Sequence, residues 1–311
     1  MRTIDLKTGA ACAMPPRTVL CLGNFDGVHL GHQALIRAAK DMRDRRFPQA
    51  VLGVFCFAGL SSDFLLSPPP GHLTDDAERL AYFAGAGAEL AVIAEFPALR
   101  DLPPETFACR ILREDCHCVA AACGFNHRFG KNGAGTPALL RAALNGNLLV
   151  QEAVLSDGEP ISSTRIRNLL EAGDPDGAAR LMGHPYAIEA PVLHGAAVGR
   201  TIGFPTVNQL FPAYALIPKN GVYLTACTVN GKHCYGLTDV GTRPTVGGAR
   251  EIRCETNLQN FVGDLYGQRV RVAFLRYLRE ERKFESVGAL REQIARDRET
   301  VRVLTAGTEP P

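Results

Sequence analysis

Residues 20–32 read Leu-Cys-Leu-Gly-Asn-Phe-Asp-Gly-Val-His-Leu-Gly-His, and this stretch decides the fold of the first half of the chain. An apolar run ends at Gly23, a short turn follows, and the residues after His32 are typical of a helix. Backbone N–H groups at a helix N-terminus attract anions. His29 and His32, three residues apart, fall on the same side of the first helical turn. Gly31 between them lets a polyphosphate approach the backbone closely. The stretch therefore predicts a buried strand followed by a turn that handles phosphate.

The composition is typical of a globular protein with two domains. The chain has 311 residues, enough for two domains, with 46% hydrophobic and 21% charged residues as in ordinary globular proteins. The net charge of +2 gives no argument for a nucleic-acid partner. No apolar run approaches about 18 residues, so we expect no membrane span, and residues 1–10 lack the apolar core of a secretory signal. Without such a signal, the ten cysteines are expected to be reduced thiols of a cytoplasmic protein. The sequence leaves open whether the protein forms an oligomer.

The first half alternates apolar runs with helical patterns. This alternation predicts an α/β fold with a parallel sheet covered on both faces. Ligands of such folds bind at the carboxyl ends of the strands, where the histidine turn lies. The predicted strands are 18–22, 50–57, 90–95, 117–123 and 148–155, and the predicted helices are 31–45, 75–86, 104–114 and 136–146.

A second phosphate-binding pattern closes the first half. Residues 158–167 end in Ser-Ser-Thr-Arg-Ile-Arg and precede a helical run. The hydroxyls of Ser163 and Thr164 can cap this helix, and Arg165 and Arg167 add positive charge. By itself the pattern fits a plain N-cap with solvated arginines equally well. Together with the histidine turn it favours triphosphate binding.

Beyond residue 183 the chain changes character. Short, β-rich segments bounded by Gly and Pro predict a small antiparallel barrel or sandwich, closed by a helix at 286–299. We therefore predict two domains, 1–183 and 184–311. The predicted strands of the second domain are 187–193, 221–229, 233–240, 251–258 and 270–278.

A second site is indicated in that half. Residues 199–208 form a loop by composition, and Thr206 and Asn208 point the same way if the backbone is extended there. Hydroxyl and amide oxygens suit Mg²⁺, which also takes phosphate ligands. Glu255 lies in a strand pattern, where it is either a solvated residue or a general base near the metal. The sequence contains no G-x-x-x-x-G-K-[ST] motif, so a kinase here is not of the P-loop type.

With both halves laid out, the chain resembles the bifunctional prokaryotic riboflavin kinase/FAD synthetase family. The match runs roughly from residue 17 to residue 300, and the motifs occur in the family's order and spacing. They are GNFDGVHLGH (23–32), GFNHRFGKNGAG (124–135), EPISSTRIRNLLEAGD (159–174), GRTIGFPTVN (199–208), IPKNGVY (217–223), GTRPTVGG (241–248), ET (255–256), DLYG (264–267) and LREERKF (278–284).

For the first half, the resemblance implies a Rossmann-like nucleotidyltransferase domain. The phosphate of FMN would attack the α-phosphate of ATP, giving FAD and pyrophosphate. His29 and His32 would stabilise the charge that develops on the ATP phosphates, and Asn126 and Phe129 would lie on the flavin side of the cleft. The other ATP-binding positions implied for this half are Gly23, Asn24, Phe25, Gly31, Ser163, Thr164 and Arg167.

For the second half, the resemblance implies a riboflavin kinase on a six-stranded antiparallel barrel with a C-terminal helix. Thr206 and Asn208 would hold Mg²⁺ and ATP phosphates, and Glu255 would deprotonate the ribityl 5′-hydroxyl for attack on the γ-phosphate. Gly199 and Arg200 would contact ATP, and Arg279 would contact the flavin. The implied substrates are riboflavin, FMN and ATP.

The sequence also departs from the family pattern. Residues 55–59 read Phe-Cys-Phe-Ala-Gly where the family commonly has Phe-Asp-Pro-His-Pro, and Asn126 and His127 stand where Asp and Phe are frequent. One alternative is therefore a riboflavin kinase whose adenylyltransferase half is weak or inactive. Two others are a nucleotidyltransferase with a different acceptor, such as pantetheine phosphate, and a flavin carrier or regulator without catalytic activity.

Overall fold

The computed structural model describes residues 1–6, 13–194, 204–229, 231–244, 250–261 and 263–310. The chain divides into two compact units, Met1–Ser163 and Thr164–Pro311. Gly199 and Arg200 lie outside the described residues. The domain limits expected from composition, 1–183 and 184–311, stay a prediction.

The first unit is built on a six-stranded parallel sheet. Parallel strands are covered on both faces, which is why β2 is buried throughout and apolar apart from Thr18, and why most of β5 is apolar and buried. The sheet strands are β1 (Arg2–Leu6), β2 (Thr18–Leu22), β3 (Val51–Phe57), β4 (Leu90–Ala94), β5 (Cys118–Gly124) and β6 (Leu148–Gln151), followed by a small hairpin of β7 (Leu155–Ser156) and β8 (Glu159–Pro160).

The order of the strands locates the ligand edge of this sheet. The order is β1-β4-β3-β2-β5-β6, so the chain leaves β2 toward one side and later returns to its other side as β5. A crevice forms at such a reversal, beyond the carboxyl ends of the two neighbouring strands. The turn at residues 23–29 follows β2, and the turn at residues 124–130 follows β5, so both predicted substrate turns lie at this reversal.

Helices cover both faces of the sheet. Alternate residues of β3 point to opposite sides, so Phe55 packs in one core with Ile111, while Leu52 packs in the other core with Ile36 and Phe83. The helices are α1 (Leu30–Arg46), α2 (Ser62–Leu65), α3 (Asp76–Gly85), α4 (Phe96–Leu99), α5 (Pro104–Thr106) and α6 (Pro137–Ala143), with a π-helical segment (Phe107–Asp115) after α5 and 3₁₀ turns at Asp26–Val28 and Lys131–Gly133.

The predicted Rossmann-like class is confirmed, with three differences in detail. The sequence analysis missed β1, which pairs in parallel with β4 at the sheet edge and buries only Ile4 and Leu6. The predicted helix 104–114 forms as α5 and the π-helical segment. The strand predicted over 148–155 ends at Gln151, and the small hairpin follows it.

Two helices follow the parallel sheet in sequence, and apart from Ser163, the first residue of the first helix, they belong to the second unit. They are α7 (Ser163–Ala172) and α8 (Pro175–Met182). The N–H of Lys219 donates to the carbonyl of Leu170 at 3.0 Å, which ties α7 to the chain that enters the barrel. Asp174 caps α8 by accepting from the N–H of Gly177 at 2.8 Å.

A six-stranded antiparallel barrel follows, as predicted. Its interior contains a ladder of buried threonine hydroxyls. Thr238 Oγ1 lies 2.8 Å from Thr225 Oγ1 and 2.9 Å from Thr256 Oγ1, so these buried hydroxyls satisfy one another. The order is β10-β13-β12-β11-β14-β9, with β9 (Tyr186–Pro191), β10 (Val207–Leu210), β11 (Gly221–Val229), β12 (Lys232–Pro244), β13 (Arg250–Leu258) and β14 (Arg269–Arg279).

One glutamine closes the barrel between its two edge strands. Gln209 is 1% exposed, and its Nε2 donates to the carbonyls of Ala190 on β9, at 2.6 Å, and of Val270 on β14, at 2.8 Å. The N–H of Leu193 adds a bond to the carbonyl of Asn208 at 2.8 Å. The composition of residues 199–208 predicts a loop. Their last two residues instead begin β10. This strand is too short to show an alternating pattern in the sequence, and its pairing with β13 and the hydrogen bonds of the Gln209 side chain stabilise it.

The C-terminal helix α9 (Val287–Leu304) packs on the outer face of the barrel. Val301 joins Val222, Leu224 and Leu237 in one buried cluster. Ser286 caps the helix by accepting from the N–H of Ala289 at 3.1 Å. None of the helices in the described part of the chain has both the length and the apolar character that crossing a membrane requires.

We expect Gln209→Ala to destabilise the barrel. Removing the amide leaves two buried carbonyls without their donor, which costs roughly 1–3 kcal/mol. Urea unfolding followed by tyrosine fluorescence measures this, because Tyr82 is the one tyrosine of seven outside the second unit. The matched control is Gln268→Ala, since this exposed glutamine also donates to a carbonyl, that of Asp264 at 3.1 Å. Equal unfolding free energies for the two variants would contradict the role of Gln209.

Candidate active sites

The turn after β2 holds its residues in unusual backbone conformations. Phe25 has a φ of 56° although it is fully buried, and Gly27 has a φ of 77°. The Phe25 ring packs edge-on against Phe83 at 5.2 Å and lies 5.1 Å from the ring of His32. A Cβ at Gly23 would come within 3.2 Å of the same ring, which explains the glycine there. Such a turn persists only where the surrounding structure over-determines it.

A segment about fifty residues later supplies that support. The carboxylate of Asp26, 3% exposed, accepts from the N–H of Leu73 at 2.9 Å. The hydroxyl of Thr74 accepts from the N–H of Gly27 at 3.1 Å. Residues before α3 therefore pin the turn from outside the motif.

A buried arginine ties the turn to the end of β3. Arg79 is 2% exposed, and it donates to the carbonyls of Asn24, at 3.0 Å, and Phe57, at 2.7 Å. It also pairs with Asp76 at 2.6 Å. The side chain of Asn24 exchanges hydrogen bonds with Ser61, at 2.8 and 3.0 Å. The sequence analysis missed Arg79, because an arginine in a helical pattern gives no sign that it is buried.

His29 is the N-cap of α1. Its Nδ1 accepts from the N–H of His32 at 3.4 Å, and the two imidazole rings stack 3.7 Å apart at 16°. A Cβ at Gly31 would lie 3.1 Å from ring atoms of His29, so the glycine leaves room for the ring. The structure thus brings both predicted histidines together at the helix N-terminus.

Both imidazoles are neutral at pH 7. Burial lowers the pKa of His29 to about 4. Burial first, and then repulsion between the two rings if both are protonated, lowers the pKa of His32 well below its ordinary value. Because Nδ1 of His29 accepts a hydrogen bond, the ring proton lies on Nε2 and can be donated. Nδ1 of His32 is a buried atom with no hydrogen-bond partner among the described residues. The pair therefore offers polar ring atoms to a ligand at a helix N-terminus without adding charge.

One residue of the hydroxyl-rich segment 162–164 contacts the turn after β2. Ser163 Oγ donates to the carbonyl of Asp26 at 2.9 Å. Thr164 and Arg167 lie in α7 and belong to the second unit. Their contact with ATP stays a prediction.

The segment that departs from the family pattern is aromatic. The Phe57 ring packs edge-on against Phe55, at 6.1 Å, and against Phe96, at 5.1 Å. A polar pair lies further along the chain, where Asp63 contacts His72 Nε2 at 2.8 Å. Sequence reasoning did not single out this pair, because its two members are separated by a proline-rich stretch.

The turn after β5 places its two predicted flavin contacts differently. Asn126 is exposed, whereas Phe129 is 8% exposed and packs on Phe107 at 5.4 Å. A Cβ at Gly135 would overlap the Phe129 ring. Phe129 is thus a core residue, and a flavin contact for either residue stays a prediction. The ring of His127 stacks on Phe129 at 5.8 Å, and burial lowers the pKa of His127 to about 4.

In the second unit, strand register aligns three side chains. Asn208 on β10 is the direct partner of Glu255 on β13, and Glu255 is the direct partner of Asp239 on β12. Directly opposed residues have Cβ atoms about 4.5–5.5 Å apart on the same face. Glu255 Oε1 and Asp239 Oδ1 are both buried atoms. The sequence analysis missed Asp239, because cross-strand register cannot be read from one strand alone.

The segment before β10 is held close to this row. The side-chain N–H of Asn208 donates to the carbonyl of Thr206 at 3.3 Å, which leaves Oδ1 of Asn208 for a cation. Asn257 Nδ2 on β13 donates to the carbonyl of Pro205 at 2.7 Å, which holds the segment before β10 against β13. Amide, hydroxyl and carboxylate oxygens are the donors that Mg²⁺ prefers, so the donor set fits this ion.

The Arg279 side chain, for which a flavin contact is expected, is paired with a carboxylate of the protein. Its Nη2 and Nε donate to the carboxylate of Asp297 on α9, at 2.7 and 3.0 Å. Gln293 Nε2 also donates to Asp297, at 2.7 Å. Arg279 thereby links β14 to α9, and its contact with a flavin stays a prediction.

Comparisons with known proteins match both halves of the chain. The family model described as riboflavin kinase matches residues 182–305, and the model described as FAD synthetase matches residues 12–165. Relatives named bifunctional riboflavin kinase/FMN adenylyltransferase are 35% identical in Pseudomonas fluorescens, covering 93% of each chain, and 35% identical in Escherichia coli strain K12, covering 94% of each. The relative of that name in Bacillus subtilis strain 168 is 32% identical and covers 91% of each chain.

A solved structure matches over nearly the same extent. The crystal structure from Streptococcus pneumoniae described as a macrolide-efflux protein has a TM-score of 0.87 and 30% identity. The match covers 97% of this chain and 99% of that chain.

We expect Gly31→Ala to separate stability from activity at the histidine turn. Alanine is the better helix former, so α1 should be at least as stable. The new Cβ would come within 3.1 Å of the His29 ring, so the ring must shift slightly. A misplacement of about 1 Å can cost about 10²-fold in rate, and we expect this smaller shift to cost less than that. FAD formation from FMN and ATP, measured by chromatography, should fall accordingly. Gly288→Ala is the matched control, because Gly288 is also the second residue of its helix and its Cβ would meet its nearest neighbour at an ordinary 3.6 Å. Unchanged FAD formation in Gly31→Ala would show that the ring position is unimportant.

Proposed function

The chain belongs to the family of bifunctional riboflavin kinase/FMN adenylyltransferases. We propose that it has two active sites: the turn with His29 and His32, and the barrel row of Asn208, Glu255 and Asp239. The protein is an enzyme that phosphorylates riboflavin to FMN and adenylates FMN to FAD, with ATP as co-substrate of both reactions. The observation that carries this function is the match of both family models to one chain. It favours the bifunctional enzyme over the kinase-only alternative.

At the adenylyltransferase site we assign charge stabilisation to the helix N-terminus and the two histidines. The FMN phosphate forms a bond to the α-phosphorus of ATP while the bond to pyrophosphate breaks. Negative charge shifts onto phosphate oxygens during this step. Backbone N–H groups of α1 and the Nε2–H of His29 are donors suited to those oxygens. Their positions are fixed before the substrate arrives, as stacking with His32 and the buried turn indicate.

Other residues of this site are assigned by the resemblance and supported by their surroundings. Gly23, Asn24 and Phe25 form the turn that ATP would lie against, and Ser163 is hydrogen-bonded to it. Thr164 and Arg167 would add a hydroxyl and a positive charge for the phosphates. Asn126 and Phe129 remain the proposed flavin contacts of this unit.

At the kinase site we assign Glu255 as the general base. Its carboxylate takes the proton of the ribityl 5′-hydroxyl, whose oxygen bonds to the γ-phosphorus as the bond to ADP breaks. Thr206 and Asn208 would hold Mg²⁺, and when bound this ion neutralises phosphate charge. Most of the acceleration in phosphoryl transfer comes from such positioning and neutralisation. Gly199 and Arg200 remain proposed ATP contacts, and Arg279 a proposed flavin contact.

We also propose a cytoplasmic location. It is supported by the nine cysteines in the described part of the chain, all of which are free thiols and most of which are buried.

Two variants should separate the two activities. Glu255→Gln should lower the rate of FMN formation by roughly 10²–10⁴-fold, because a general base is lost while the side-chain shape is kept. His29→Ala should abolish FAD formation from FMN and leave FMN formation intact. A chromatographic assay that starts from riboflavin and ATP measures both products in each variant.

The matched controls carry the same type of change elsewhere. Glu189→Gln changes a half-buried glutamate of the barrel that is paired with Arg269, and His117→Ala changes an exposed histidine of the first unit. Both should retain both activities. If His29→Ala lost both activities while still folded, the assignment of two separate sites would be wrong.

A further inference from the structure

Arg253 lies beside the proposed base on the same face of β13. It precedes Glu255 by two residues, so the two side chains leave the strand in the same direction, about 6.6 Å apart along it. Register pairs Arg253 with Leu210 on β10 and with Gly241 on β12. Arg253 therefore stands in the row next to the one formed by Asn208, Glu255 and Asp239.

The residue opposite Arg253 on β12 is Gly241, which has no side chain. A Cβ at this position would overlap the carboxylate of Glu281, which occupies the space instead. Four carboxylates thus lie on or over this face, those of Asp239, Glu251, Glu255 and Glu281. The terminal phosphate of ATP would be repelled by them unless cations offset their charge.

The guanidinium of Arg253 is only partly used within the protein. Its Nη2 donates to Glu251 at 3.0 Å, and its side chain is 28% exposed. Its Nε is a buried atom with no hydrogen-bond acceptor in the part of the chain that the structure describes. A buried donor without an acceptor is unfavourable, and a ligand that brings acceptor oxygens removes this cost.

We propose that Arg253 binds the γ-phosphoryl oxygens of ATP during riboflavin phosphorylation. A guanidinium matches phosphate oxygens in both geometry and charge. The γ-phosphorus must lie next to the ribityl oxygen whose proton goes to Glu255, and Arg253 is the neighbour of Glu255 on that face. During transfer the bond from γ-phosphorus to the ribityl oxygen forms and the bond to the β–γ bridging oxygen breaks. Arg253 exchanges no proton and stabilises the charge of the phosphoryl group. This inference rests on the proposed kinase site at Glu255.

The test compares nucleotides with and without a γ-phosphate in Arg253→Ala. Inhibition constants of ADP and of the β,γ-imido analogue of ATP are measured against ATP in the kinase reaction, so that only this site is observed. We expect the inhibition constant of the imido analogue to rise at least about 10-fold, with that of ADP unchanged. The kinase kcat should fall by roughly 10²–10³-fold. Added guanidinium ion should restore part of it, and Arg253→Lys should retain more activity than Arg253→Ala. FAD formation from FMN should be unchanged.

The controls separate this inference from the proposed function. Arg269→Ala removes an exposed barrel arginine that is also paired with a glutamate, Glu189 at 3.0 Å, and should change nothing. If Glu255→Gln kept full kinase activity, the proposed site itself would be wrong. If Glu255→Gln lost activity but Arg253→Ala bound both nucleotides like wild type, the Arg253 proposal alone would fail. An equal loss of affinity for ADP and the imido analogue, in folded Arg253→Ala or Arg253→Lys, would also overturn it.

Discussion

Burial of two stacked imidazoles at one helix N-terminus is the constraint on which the first unit depends. Two rings 3.7 Å apart could not both carry a charge without strong repulsion. Burial removes that charge, and the neutral rings can pack against Phe25 and Gly31. The strained turn, the Asp26 and Arg79 contacts and the reversal of strand order all hold the pair at the ligand edge of the sheet. At the proposed phosphate site, backbone dipoles and neutral imidazole donors would then be in place before the substrate binds.

The barrel fixes its site by a different means. Hydrogen-bonded register sets Asn208, Glu255 and Asp239 side by side across three strands. The position of β10 in turn depends on Gln209, whose amide joins both edges of the barrel. A change in the barrel core can therefore alter the outer face where phosphate chemistry is proposed. The helix α9 stabilises that face through Asp297, which holds Arg279.

Local patterns predicted much of this fold, and long-range contacts account for what they missed. The buried strand β2, the histidine turn and most barrel strands follow from apolar runs and motif spacing within a few residues. Arg79 and Thr74 support the turn from about fifty residues away, and no local pattern indicates that they do. Asp239 is aligned with Glu255 only through cross-strand register. The burial of Phe129 in the core likewise depends on a distant residue, Phe107, and its contact with the flavin stays a prediction.

The most direct test of the neutral histidine pair is an NMR titration of the protein with ¹⁵N-labelled histidine. We expect His29 to keep its proton on Nε2 through neutral pH and to titrate near pH 4. Its assignment follows from the signal that His29→Ala removes. Because the pKa lies below that of an unfolded histidine, the stability that burial of the neutral ring contributes is complete above about pH 6.5 and is lost as the pH falls toward 4. A His29 midpoint at or above 6.5 would show a charged or solvated ring and would contradict the account.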